Sequence, residues 1–245
     1  MSSTTTVTKP PKARLAASTI DILNNDTAHI YSHIHPILVL SLYAFQFKSI
    51  VADPVPALLN TLIPLSILQI AYVSICLPAT GASSAPPVVK PGVKKKPGAS
   101  KLESSIQGKI VPAFLSLLLS TVAGTPLAGI TLILFGAPLT THFPHTFLCA
   151  AHISLLASVP LIYVHGVDRE RWREIVGLLP PIDEVFGAAL GTLMGAWLGA
   201  VPIPLDWDRE WQKWPVTIVT GAYIGFAVGK LAGGLLLKGR KIIFN

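Results

Sequence analysis

The chain has 245 residues, 51% of them hydrophobic and only 13% charged, with a formal net charge of +7 and a mean hydropathy of +0.59. A soluble globular domain carries about 25% charged residues, so this composition excludes one and points to a polytopic membrane protein. The basic residues sit in short segments between apolar runs, which is an orientation signal rather than a nucleic-acid footprint.

Taken in order, Met1 to Asp26 is rich in Ser, Thr and Lys and reads as a mobile cytosolic tail, with the tail segment set at 1–27 and no cleavable signal peptide visible. A first span is expected from about Ala28 to Val51, broken by Pro36, and a second after Asp53-Pro54 to about Leu77, the pair occupying 28–77. Residues 78–108, with Lys94-Lys95-Lys96, read as a disordered basic cytosolic linker. A third span, about Lys109 to Phe135, is interrupted at Gly124-Thr125-Pro126, and a fourth runs from about Phe147 to Val164. The charged stretch Asp168 to Glu174 holds Trp172 among arginines, as an interfacial helix does.

Two further apolar runs form a hairpin between Asp183 and Leu237. The first places Gly187, Gly191, Gly195 and Gly199 at four-residue intervals; the second repeats the device with Gly221, Gly225, Gly229 and Gly233. Each series lies nearly along one helical face. Glycine costs a soluble helix roughly 1 kcal/mol per residue relative to alanine, whereas in a bilayer small residues let helix backbones approach closely. The sequence leaves open whether these grooves face each other or another protein.

The expected fold is therefore an all-α integral membrane protein with six transmembrane helices, its last two forming a glycine-zipper hairpin, with 109–237 as the core and 238–245 as a basic tail. Even-numbered spans put both termini on one side. That side collects Lys9 to Arg14, Lys90 to Lys109, Arg169 to Arg173 and Lys238 to Lys241, against Lys48, Arg209 and Lys213 opposite. The bias assigns the termini to the cytosol, which would leave the Asn25-Asp26-Thr27 sequon unmodified.

Candidates for chemistry are few. Cys76 and Cys149 lie in apolar runs and read as buried inert thiols. Lys230 is the deepest charge; the expectation is a side chain that snorkels to the cytosolic interface, with pairing to a polar group on a partner or to a lipid phosphate as the alternative. His29, His33 and His35, and likewise His142, His145 and His152, cluster near span ends, but no metal-ligand spacing accompanies them and interfacial histidines are expected. No nucleophile motif or P-loop is present, and neither metal nor cofactor is expected. The corner between the hairpin runs is denser: Pro202, Pro204, Asp206, Trp207, Asp208, Arg209, Trp211, Trp214 and Pro215 make either an aromatic belt or an ordered partner-docking surface.

At this corner the sequence resembles the PIG-F family. The matching residues are Gly195-Ala196-Trp197-Leu198-Gly199-Ala200, then Pro202 to Arg209, Trp211-Gln212 and Trp214-Pro215, with a second match at Phe135 to Leu139 and Thr146-Phe147. Glu210 stands where the family pattern has proline. The resemblance implies a noncatalytic subunit of the endoplasmic reticulum membrane in glycosylphosphatidylinositol (GPI) anchor synthesis. It implies as partners the large polytopic GPI ethanolamine phosphate transferases, which move ethanolamine phosphate from phosphatidylethanolamine to mannose of the GPI precursor. On this reading the glycine series, Trp197 and the corner meet the partner's helices and luminal domain. The competing reading is an independent lipid-handling enzyme or transporter working through Lys230 and the Asp206–Arg209 corner.

Overall fold

The computed structural model describes residues 18–81 and 100–243, with the side chains of 100–107 left out. The greater part of the expected tail (1–17), most of the expected linker (82–99) and the last two residues lie outside the described residues. Helices α1 (Asp26–Ala52) and α2 (Pro54–Cys76) are joined by the single residue Asp53. Proline at the first position of α2 has no N–H to leave unbonded there, so it starts the second helix directly after the first ends. Helix α3 (Ser100–Leu119) runs through a π-helical turn, Ser120–Gly124, into α4 (Thr125–Leu134). Then follow α5 (Phe143–His165), the short α6 (Arg169–Val176), α7 (Glu184–Leu198) and α8 (Val216–Leu231), which ends in a second π-helical turn, Ala232–Leu236.

The expected interruption at Gly124-Thr125-Pro126 is a π-turn within one continuous helix. In the π-turn the carbonyl of Ser120 accepts from Thr125 N, and also from the Ser154 hydroxyl at 2.8 Å and from Thr125 Oγ1 at 3.3 Å. A Cβ at Gly124 would strike Ser154 Oγ, so glycine here sets how closely this span lies on α5.

Among the described residues five helices are long and apolar enough to cross a membrane: Asp26–Ala52, Pro54–Cys76, Gly108–Leu134, Phe143–His165 and Val216–Leu236. The remaining expected span, the fifth in chain order, is shorter. Helix α7 has 15 residues, about 22 Å at 1.5 Å per residue, against roughly 30 Å of hydrocarbon. Its start is fixed by Asp183, whose Oδ1 accepts from Val185 N and Phe186 N. Beyond Leu198 the chain goes on in tight turns, Ala200 N to Trp197 O, Val201 N to Leu198 O and Ile203 N to Ala200 O, because Pro202 and Pro204 supply no N–H to continue the α-helical ladder.

Helix α5 is the centre of the bundle, touching α2, the α3–α4 span, α7 and α8, and 78% of its apolar window is buried. The α3–α4 span is peripheral, with 11% of its window buried. Large apolar side chains stand exposed on the outer helices, among them Phe45, Ile63, Val122, Leu134 and Val228, as a lipid-facing surface requires. The segments around residues 23, 76–80, 163, 182 and 240 meet at one end of the bundle: Leu23 N donates to Cys76 O, Thr80 N to Tyr163 O and Ile182 N to Arg240 O. At the other end Lys213 Nζ lies 3.4 Å from Ala52 O.

Within the expected tail, residues 20–25 are tied to the bundle. Ile20 N donates to Asp183 Oδ2 at 2.8 Å, and Asn25 Oδ1 caps α1 by accepting from Ala28 N at 2.7 Å. Asn25 thus terminates a helix, and α1 begins two residues before the expected boundary.

Candidate functional site

The glycine series of α7 and α8 lie against each other in antiparallel register. A Cβ added at Gly187 would stand 2.5 Å from Gly229 O and 2.9 Å from Gly233 Cα; one at Gly191 would stand 2.7 Å from Gly229 Cα and nearer still to Gly225 O. Gly195 meets Gly221 and Gly225 in the same way, and Gly199 meets Thr217 and Ile218. The carbonyl of one helix therefore occupies the side-chain position of the other. This is the approach of weak Cα–H···O contacts, worth about 0.5–1 kcal/mol each. The two grooves fill one another, and these glycines are not open to a second protein in this arrangement. Of the two arrangements the sequence leaves open, grooves facing each other or another protein, the structure has the first.

The close approach brings the start of α7 level with the end of α8 and places Glu184 beside Lys230. Their side chains pair at 3.0 Å between Lys230 Nζ and Glu184 Oε1. The same carboxylate oxygen accepts from Ser32 Oγ at 2.6 Å and Tyr72 OH at 3.1 Å. Lys230 Nζ also lies 3.4 Å from the centre of the Tyr72 ring and 3.3 Å from His35 Nδ1, and His35 stacks on Tyr72 at 4.5 Å. Lys230 is 2% exposed and Glu184 8%. The snorkelling expectation is corrected: a buried carboxylate within reach makes an inward pair better than a long reach to water, since a charge left alone at this depth is costly.

Two histidines expected at interfaces are buried as well. His35 belongs to the Lys230 cluster, and His152 sits between Tyr223 OH at 2.8 Å and Leu58 O at 3.1 Å, joining α5 to α8 and α2. His29 and His33 remain exposed, and His142 and His145 form an edge-to-face pair at 5.2 Å. Among the described residues no group of His, Cys, Asp or Glu could hold a metal ion. Cys76 and Cys149 are free and buried.

At the opposite end, the corner is ordered by a residue the sequence reading passed over. The Gln212 side chain donates to Pro202 O and Leu205 O, both at 2.8 Å, and accepts from Arg209 N at 2.9 Å. Pro202 O also accepts from Leu205 N at 3.2 Å and Leu205 O from Trp207 N at 2.9 Å, so one amide side chain ties together two turns of the corner. Asp208 takes the left-handed backbone, with φ of 47°, a conformation in which aspartate is among the better tolerated residues. Trp207 and Trp211 meet edge to face at 5.8 Å, and Lys213 bonds Glu210 at 3.2 Å. Asp206, Trp207, Asp208 and Arg209 are exposed, Trp211 and Trp214 half-buried.

Lys230 and the Asp206–Arg209 corner stand at opposite ends of α8, about 20 Å apart at helical rise. They do not form one site. On the outward side of α7, Leu193, Met194, Trp197, Leu198 and Val201 are exposed and continue into the corner.

At the terminal end of the bundle, α6 is capped by Asp168 Oδ1 accepting from Arg171 N at 2.9 Å, and Trp172 Nε1 donates to Gly166 O at 2.8 Å. Lys238 Nζ lies 2.7 Å from Asp21 Oδ1. That hydrogen bond pushes the lysine pKa up. Burial pushes the Asp183 carboxyl up, against its backbone donors.

Comparison with known proteins agrees with these features. The GPI biosynthesis protein family Pig-F matches residues 34–234. A glycosylphosphatidylinositol anchor biosynthesis protein 11 of Aspergillus fumigatus is 46% identical over 91% of this chain and 84% of its own length. A protein of the same name from Neurospora crassa is 45% identical over 91% and 80%. The mouse GPI ethanolamine phosphate transferase, stabilizing subunit, is 33% identical over 55% of this chain and 63% of its own. No solved structure matches. With the family matched across all five long apolar helices and the glycine hairpin, this chain is a membrane protein of the GPI biosynthesis family Pig-F.

Proposed function

We propose that this protein is a noncatalytic subunit of the endoplasmic reticulum membrane that binds and stabilises the large polytopic catalytic subunits of GPI ethanolamine phosphate transferase. It thereby supports transfer of ethanolamine phosphate from phosphatidylethanolamine to mannose of the GPI precursor. The observation that carries the reading is the likeness to a mouse protein named as the stabilizing subunit of that transferase. The layout of the molecule supports it: the glycine faces are filled within the chain, while the outward face of α7 and the ordered corner are free.

In this reading α7, with the tight turns that follow it, crosses as a sixth span, and the positive-inside bias sets both termini in the cytosol. The corner then lies in the lumen. Trp197, Asp206, Trp207, Asp208, Arg209 and Trp211 form the partner contact there. Pro202, Pro204, Trp214 and the glycine pairs act indirectly, by holding the hairpin that presents it.

The test is affinity purification of the tagged protein from membranes in mild detergent, with mass spectrometry of what accompanies it. Large ethanolamine phosphate transferases in near-equal amount are the expected result. A chain that purifies alone, and whose loss leaves transferase levels unchanged, would overturn the reading.

A further inference from the structure

At the end of the bundle away from the corner, a cavity of about 400 Å³ opens between α1, the ends of α7 and α8, and residues 20–24. Its size is that of a small-ligand site. Two features make it unlike a packing void. The polar wall carries both signs of charge: Asp21 and Glu184 against Lys230 and Lys238, with His29 and His33 one turn apart on α1. The rest of the lining is apolar, and Leu231 and Leu235 on α8 are exposed where lipid would lie.

Among the described residues the carboxylate of Glu184 is bonded through one oxygen only. Ser32, Tyr72 and Lys230 all bond Oε1. Oε2, like the Cβ and Cγ of Glu184, stands 3.7 Å from where a Cβ at Gly234 would be, and both residues line the cavity. A carboxylate oxygen at the floor of such a cavity is an acceptor for a cationic group, and Lys238, His29 and His33 at the mouth are donors for an anionic one.

We infer that this cavity binds the zwitterionic headgroup of a glycerophospholipid. The ammonium lies at Glu184 Oε2, the phosphate at Lys238 and the α1 histidines, and the acyl chains leave over Leu231 and Leu235. The inference stands apart from the subunit reading, because it is tested on the isolated full-length chain.

The probes are dihexanoyl phosphatidylethanolamine, dihexanoyl phosphatidylcholine, dihexanoyl phosphatidylglycerol and inorganic phosphate, titrated against the detergent-solubilised chain and followed by native mass spectrometry. Saturable one-to-one binding of a zwitterionic lipid is expected. Losing the ammonium contact should leave phosphatidylglycerol roughly tenfold weaker, the effect of one close contact between opposite charges, which phosphatidylcholine makes without an N–H to donate. Gly234→Leu, whose Cβ meets Glu184 only at ordinary contact distance, fills the floor and should abolish binding; His33→Ala with Lys238→Ala, at exposed positions, should weaken it by a similar factor. Equal binding of phosphatidylglycerol and the zwitterionic lipids would overturn the inference. So would competition by inorganic phosphate alone at the same concentration, or wild-type binding by Gly234→Leu.

Discussion

At one end of the α7–α8 hairpin Glu184 and Lys230 are buried and bonded to each other, and at the other Asp206, Asp208 and Arg209 stand exposed on a backbone held by Gln212. Both ends are rich in charge, but the charge answers different demands. The buried pair is tied inward through Glu184 Oε1: Ser32 on α1 and Tyr72 on α2 turn toward it, so it registers the hairpin against the first two helices. The corner is rigid in backbone and free in side chain, which is how a docking surface is prepared without its partner. Between the two ends the glycine contact fixes the distance, so damage at one end and damage at the other should be distinguishable.

The largest effect is expected between the ends. Gly191→Leu with Gly195→Leu sets side chains where Gly225 O and Gly221 O now lie, and no rotamer change relieves a backbone clash. The hairpin should open at a cost of at least about 3 kcal/mol, seen as loss of the monodisperse peak in fluorescence-detected size exclusion. Survival of that peak would mean the helices can part cheaply.

Next comes Lys230→Met, which leaves Glu184 buried and unpaired; breaking such a pair costs about 3–5 kcal/mol. Thermal melting of the chain in detergent reads this, and Glu184→Gln added to Lys230→Met should recover much of the loss. Additive losses in that cycle would show that the two residues are not coupled.

A smaller effect is expected at Gln212→Ala. It removes three hydrogen bonds from a partly exposed corner, roughly 1–2 kcal/mol, and the amides of Leu205 and Arg209 should exchange faster while those of α8 stay protected. The smallest is Trp207→Ala with Arg209→Ala, at exposed positions, where stability should move by no more than about 0.5 kcal/mol.

The glycine spacing, the helical class and the proline-bounded corner are all legible in the sequence because each rests on local rules: periodicity, span length and the missing proline N–H. What covers each face is not local. The four-residue period shows that Gly187 to Gly199 share a face, but only the antiparallel register sets Gly191 opposite Gly225 and Gly195 opposite Gly221. That register was within reach, since both series repeat at the same interval about one corner. It would also have set Glu184 level with Lys230 and turned a snorkelling lysine into a paired one. The part of His152 was not within reach, because its partners Leu58 and Tyr223 come from helices whose adjacency only the folded bundle defines. The structural part of Gln212 is not legible, because an amide among tryptophans and charges carries no pattern and its acceptors lie seven and ten residues earlier in the chain.

If the corner meets a partner while the hairpin only presents it, the two should separate in parallel affinity purification of the wild-type chain and the Trp207→Ala/Arg209→Ala variant, with melting curves taken on both preparations. The variant should melt with the wild type yet bring down several-fold less ethanolamine phosphate transferase. Equal recovery of transferase at equal stability would contradict this and move the partner contact elsewhere on the molecule.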